Sequence, residues 1–237
     1  MSSGRARRSA GESRAADRFL AGAVVGLVAG GLGFVLPVAL VLLATYAPGE
    51  LVPATLSAIV DTSVLALLAS VLFSLSLLLY RSAFAAIRPL DPRFWAASIL
   101  CLVGTVGFVL IVVAVGLTLA SSGALSTCLN GSPTQISSCL LSTIPQAAYA
   151  GGLGLALIWL GDFGVVVGLG LAGLRMRVDA YYWGAAAYAA LLIVLAGPIL
   201  AVVDPAAPLT YPLLAGPFLV LLAPTIVAAG SQRASVR

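Results

Sequence analysis

Ionic, acid–base or metal chemistry in this sequence of 237 residues rests on eight carboxylates, twelve basic residues and three cysteines. All twelve bases are arginine, and histidine and lysine are both missing. That inventory excludes haem or zinc ligation by histidine, serine–histidine catalysis, Schiff-base lysines and the phosphate-binding lysine of nucleotide-binding loops. Three cysteines are one short of the four thiolates of an iron–sulfur centre. No enzyme activity, cofactor, metal or nucleic-acid partner is therefore expected. The carboxylates are what remains. Glu12, Asp17, Asp91 and Asp179 lie among arginines, Glu50 and Asp204 lie in short connections, and Asp61 and Asp162 lie within apolar runs.

Those runs set where the acids sit. The chain is 61% hydrophobic and 8% charged, whereas a soluble domain needs about 25% charged residues to cover its surface. A bilayer is the expected surroundings. Crossing a hydrocarbon core takes roughly 20 apolar residues, and six runs qualify: 19–46, 53–80, 95–120, 145–174, 180–203 and 211–230. Runs this long are helices, because membrane strands need only about 10 residues. The expected fold is an all-α integral membrane protein, a bundle of six transmembrane helices over 19–230. Its arginines fall in four groups: Arg5, Arg7, Arg8, Arg14 and Arg18; Arg81, Arg88 and Arg93; Arg175 and Arg177; Arg233 and Arg237. Six crossings place all four groups on one side, and the positive-inside rule makes that side, with both termini, cytoplasmic. The cell membrane is the expected location. Residues 1–18, rich in Ser and Arg, read as a disordered cytoplasmic tail, and 231–237 as a second tail. The first span is about twice the length of a signal-peptide core and reads as a retained anchor.

Within this frame Asp162 stands 13 residues before Arg175, about 20 Å along a helix and near mid-membrane. Asp61, 20 residues before Arg81, falls near the outer interface. The six spans contain no cation, so Asp162 is expected as a neutral acid without an ionic partner. Two readings stay open for it. One is structural, a hydrogen bond or the cap of a broken helix at Gly161; the other is functional, a proton carrier, cation ligand or subunit contact.

Small residues set the expected helix contacts. Gly22, Gly26 and Gly30 recur every four residues in the first span, and Gly164, Gly168 and Ala172 do so in the fourth. Such stripes let backbones approach where lipid supplies no hydrophobic drive. The connection over 121–144 carries no charge but ten Ser or Thr, with Cys128 and Cys139. On the outer side that pair is expected to form a disulfide. Cys101 reads as a small core residue. Asn130-Gly131-Ser132 is both a turn signal and a glycosylation sequon.

Two resemblances attach to these segments. The stretch WLGDF at 159–163 resembles the GxGDF motif of intramembrane aspartyl proteases, with Trp159 in place of the first glycine. That likeness implies a proton-sharing dyad of Asp162 with Asp61, whose IVDTS context differs from those families' second motif. The segments GGLGLALIWLG (151–161) and GLGLAGLR (168–175) resemble uncharacterised multi-pass membrane proteins of archaea, a family that brings no activity with it. The expected role is a non-catalytic accessory or scaffold subunit of a membrane assembly or homo-oligomer, with the bilayer, other membrane subunits or a second copy as partners. A small proton- or cation-coupled transporter using Asp162 is the alternative, and the protease a minor one.

Overall fold

A computed structural model describes residues 2–32, 51–121, 142, 145–186 and 189–190, and every regular element among them is helical. The order is α1 (Ser2–Gly30), α2 (Leu51–Ile87), a 3-10 turn (Arg88–Leu90), α3 (Phe94–Ala120) and α4 (Pro145–Met176). A further helical stretch covers 179–186. Among the described residues, three segments are long and apolar enough to cross a membrane: Leu67–Leu90, Phe94–Leu117 and Pro145–Met176. The sixth expected span, most of the fifth and the second half of the first lie outside the described residues.

Consecutive helices pack antiparallel. On α1 and α2, Gly22 lies against Ser76 and Tyr80 while Gly11 lies against Ala86. Ser76 Oγ donates a buried hydrogen bond of 2.7 Å to the Gly22 carbonyl. Interhelical bonds of this kind in a membrane contribute about 0.6 kcal/mol on average. Between α2 and α3, Phe73 stacks on Phe108 with ring centroids 5.3 Å apart, and Phe84 stacks on Phe94 at 6.1 Å.

The tightest seam joins α3 to α4. A Cβ on Gly104 would stand 2.7 Å from Gly161 Cα, and one on Gly107 would stand 2.6 Å from the Gly154 carbonyl oxygen. No side chain fits at these crossings, so backbone meets backbone and dispersion replaces the hydrophobic drive that lipid removes. At one end of the bundle the rings of Phe19, Tyr80, Phe84 and Tyr181 form a buried cluster. Phe19 lies 5.3 Å from Phe84 and 5.4 Å from Tyr181, which ties α1 to the start of the 179–186 stretch.

Two expectations bear on this end of the bundle. The stretch 2–18 is helical as part of α1, and its Ala15 and Ala16 are buried. The reason is α2, which continues past Tyr80 to Ile87 and gives the leader a surface to lie on. Arg18 Nη1 donates to the Ser82 carbonyl at 2.8 Å across this contact. The same extension puts Arg81 and Arg88 inside the apolar segment Leu67–Leu90, so the spans are not without cations. Both arginines are exposed, as side chains that snorkel toward the headgroups would be.

The glycine seam predicts a contrast. Gly161→Ala should destabilise the bundle by about 1–3 kcal/mol through overpacking. Gly116→Ala, where a Cβ meets nothing within 4 Å, should be neutral or stabilise by up to about 1 kcal/mol. Denaturant unfolding in detergent followed by helicity checks both.

Candidate functional site

Asp162 lies in the middle of α4 on the turn that carries the seam. Its neighbours alternate as helix geometry requires. Leu160 and Phe163 are exposed, whereas Gly161, Asp162, Gly164 and Val165 are buried, Asp162 to 6% exposure. The facing turn of α3 holds Cys101, whose backbone nitrogen would lie 3.3 Å from a Cβ on Gly164. One turn further along, Thr105 Oγ1 donates to the Cys101 carbonyl at 3.0 Å. Asp162 and Cys101 therefore lie on facing turns of α4 and α3, beside the crossing of Gly104 with Gly161. Among the described residues no group of three His, Cys, Asp or Glu side chains could hold a metal ion.

The register separates Asp162 from Asp61. Leu77 of α2 reaches the Gly104–Gly161 crossing and Phe84 lies over Gly168, so the part of α2 level with Asp162 is near residue 78. Asp61, on the helical turn of α2 about seventeen residues further, is thus about 25 Å away along the axis. The side chain of Asp61 itself lies outside the described residues.

The stripe residues distribute over two contacts. Gly22, Gly26 and Gly30 are buried on α1, where Gly22 meets α2; Gly164, Gly168 and Ala172 are buried on α4. Gly164 packs on Ala97, Leu100 and Cys101 of α3, and Gly168 under the Phe84 ring. Cys128, Cys139 and Asn130 lie outside the described residues.

A second arrangement, absent from the sequence reading, occupies the arginine end. Asp91 precedes Pro92, which restricts it to extended backbone, and it adopts φ −157° and ψ 127°. That geometry turns its carboxylate back over the start of α3, where Oδ1 accepts from the Arg93 N–H at 2.9 Å, an Asx-type turn. Oδ2 accepts from Arg175 Nε at 2.9 Å and Nη2 at 2.8 Å. Asp91 is 4% exposed and Arg175 is 54% exposed. The acid thus sits at the N-terminus of α3 and the base at the C-terminus of α4, each favoured by the helix dipole beside it. The Arg93 N–H and the Arg175 guanidinium, which stabilise the charged form, hold the Asp91 carboxyl below its ordinary value of 3.8.

Arg177 closes α4. Val178 N–H donates to the Gly173 carbonyl at 3.0 Å, the pattern of a Schellman cap, which places Arg177 at the position usually held by glycine. Its φ is 56°, a left-handed conformation that costs an L-residue about 1–2 kcal/mol. The Arg18–Ser82 and Asp91–Arg175 contacts bring the arginine groups 5–18, 81–93 and 175–177 to one end of the bundle. Arg233 and Arg237 lie outside the described residues.

No family model matches this chain, and neither does a curated protein or a solved structure.

Asp91 predicts an acid-dependent stability. Its folded form holds the proton less tightly than the unfolded one, so the stabilisation is complete above the ordinary value of 3.8 and is lost as pH falls through the lowered one. Asp91→Asn should lower Tm at neutral pH, and its deficit should stay constant down to about pH 5 and close below pH 4. Thermal scans of both proteins across that range measure it.

Proposed function

We propose that this chain is a six-span membrane protein with both termini in the cytoplasm that serves as a non-catalytic subunit of a membrane assembly or homo-oligomer. The observation that carries this reading is the closed seam at Asp162. Asp162, the mid-bundle acid among the described residues, is buried beside a glycine-on-glycine crossing. The outer faces, in contrast, are rows of aliphatic side chains such as Leu68, Val71 and Leu75 on α2 and Leu102, Val106, Val109 and Val113 on α3. Such faces suit lipid or another apolar helix, and helix packing needs none of the catalytic groups that this sequence lacks. The side assignment of the termini rests on the arginine groups and the positive-inside rule.

One observation favours a proton- or cation-coupled transporter as a second reading. Asp162 is a buried acid in the middle of a membrane-length helix, and Cys101 lies on the facing turn of α3. Intramembrane acids mark ion pathways in many such proteins. An aspartyl protease receives no support, since a shared proton needs two carboxyls in hydrogen-bond contact and the helix register sets Asp61 far from Asp162.

Light scattering after extraction in mild detergent tests the first reading. An assembly of more than one chain is expected; a lone monomer at all concentrations contradicts it. Asp162→Asn separates the two readings, because an amide keeps the hydrogen bonding of a neutral acid. The variant should assemble and melt like the parent, and dye-reported proton flux in proteoliposomes should be equally absent from both. A flux present in the parent and abolished in the variant would establish the transporter instead.

A further inference from the structure

The arginine end carries more than a topology signal. Seven arginines there are exposed with their side chains described: Arg14, Arg18, Arg81, Arg88, Arg93, Arg175 and Arg177. Exposed aromatics accompany them, with Trp95 at the start of α3 and Tyr182 and Trp183 beyond α4. The Tyr182 backbone abuts Gly173 in the last turns of α4, so these rings share the level of the capped helix end. At the opposite end Tyr149 is 80% exposed. By the α3–α4 register, Trp95 is level with a turn of α4 about 20 residues from Tyr149, roughly 30 Å, the thickness of a hydrocarbon core. The arginines therefore stand where phospholipid headgroups must be, and Trp and Tyr settle at that depth.

Three features of this end exceed what orientation alone requires. Every base is a guanidinium, which matches phosphate with paired donors where an ammonium offers a point charge. Asp91 accepts from the Arg93 backbone N–H and the Arg175 guanidinium at 2.8–2.9 Å, which ties the turn that carries Arg93 to the end of α4 that carries Arg177. Arg177 occupies a left-handed cap position that glycine would fill without strain, and backbone strain of this kind is commonly held where a side chain is needed. The described acids at this end are Glu12, Asp17, Asp91 and Asp179, against ten arginines on described helices and turns.

We propose that this end of the bundle, around Arg93, Arg177, Trp95 and Trp183, selectively binds the phosphate headgroups of anionic phospholipids. The guanidiniums engage the headgroup while the exposed aliphatic faces below them receive the acyl chains. This binding is independent of the scaffold reading, which concerns contacts between chains.

Native mass spectrometry of the full-length chain in neutral detergent, with equimolar phosphatidylglycerol and phosphatidylcholine, tests it. Each guanidinium at an anionic surface contributes roughly fivefold, so phosphatidylglycerol should be retained at least about tenfold more. The double variant Arg93→Gln/Arg177→Gln should reduce that preference by about tenfold or more. Arg177→Gly gives an outcome that misfolding cannot imitate: Tm equal to or above the parent's, with a lower preference for phosphatidylglycerol. Equal retention of the two lipids by the parent, or an unchanged preference in the double variant, would overturn the proposal. Millimolar inorganic phosphate should leave the lipid bound; if it strips the lipid, the site takes a soluble anion and the lipid assignment fails.

Discussion

The α3–α4 contact allows no side chain at its closest points, and much of the bundle follows from that. With Gly104 on Gly161 and Gly107 on Gly154, the two helices can meet in only one register. Sliding α4 by one turn would set Leu157 or Val165, which share a face with Gly161, against Gly104, where there is no room for a Cβ. The fixed register carries Arg175 to the turn before α3, where Asp91 receives it, and fixes the depth of Asp162 in the middle of the bundle. It also leaves Leu160 and Phe163 facing outward, because they share the turn with Gly161 but not its side. Lipid gives helices no hydrophobic reason to associate, so this steric specification replaces the apolar core of a soluble protein.

Charge placement reinforces the same arrangement from the end of the bundle. Asp91 joins three elements at once: the turn after α2, the first turn of α3 and the last turn of α4. The aromatic cluster of Phe19, Tyr80, Phe84 and Tyr181 lies near this end. Edge-to-face pairs such as Phe19 with Phe84 contribute about 0.5–1.5 kcal/mol each beyond area. The result is a molecule tied at the arginine end by ions and rings and along its length by glycine.

How much of this the sequence discloses depends on the kind of interaction. Helical spans are legible because hydrophobicity and length are local properties, and Phe94–Leu117 and Pro145–Met176 coincide with apolar runs. Packing glycines are half legible. The regular spacing of Gly164 and Gly168 is visible, but Gly104 and Gly107 sit three apart in a Val- and Leu-rich run and acquire meaning only from α4 opposite. The Asp91–Arg175 pair spans 84 positions, a separation no local pattern encodes. Its one sequence trace is Pro89 and Pro92 bracketing Asp91, which marks a rigid turn. The leader is hard to read locally for a related reason. Ser and Arg look like a solvated tail until the extra turns of α2 give Ala15 and Ala16 something to cover.

The function turns on whether the layer around Asp162 and Cys101 is sealed. A transporter would open this layer to water on at least one side, whereas a scaffold keeps it shut. Thiol accessibility reads the difference directly. With the native cysteines replaced by alanine or serine, Asp162→Cys is treated in membranes with a water-soluble methanethiosulfonate, and Trp183→Cys serves as the exposed reference. A closed seam predicts that residue 162 stays unmodified while residue 183 reacts to completion. Modification of residue 162 at a rate comparable to the reference would contradict it.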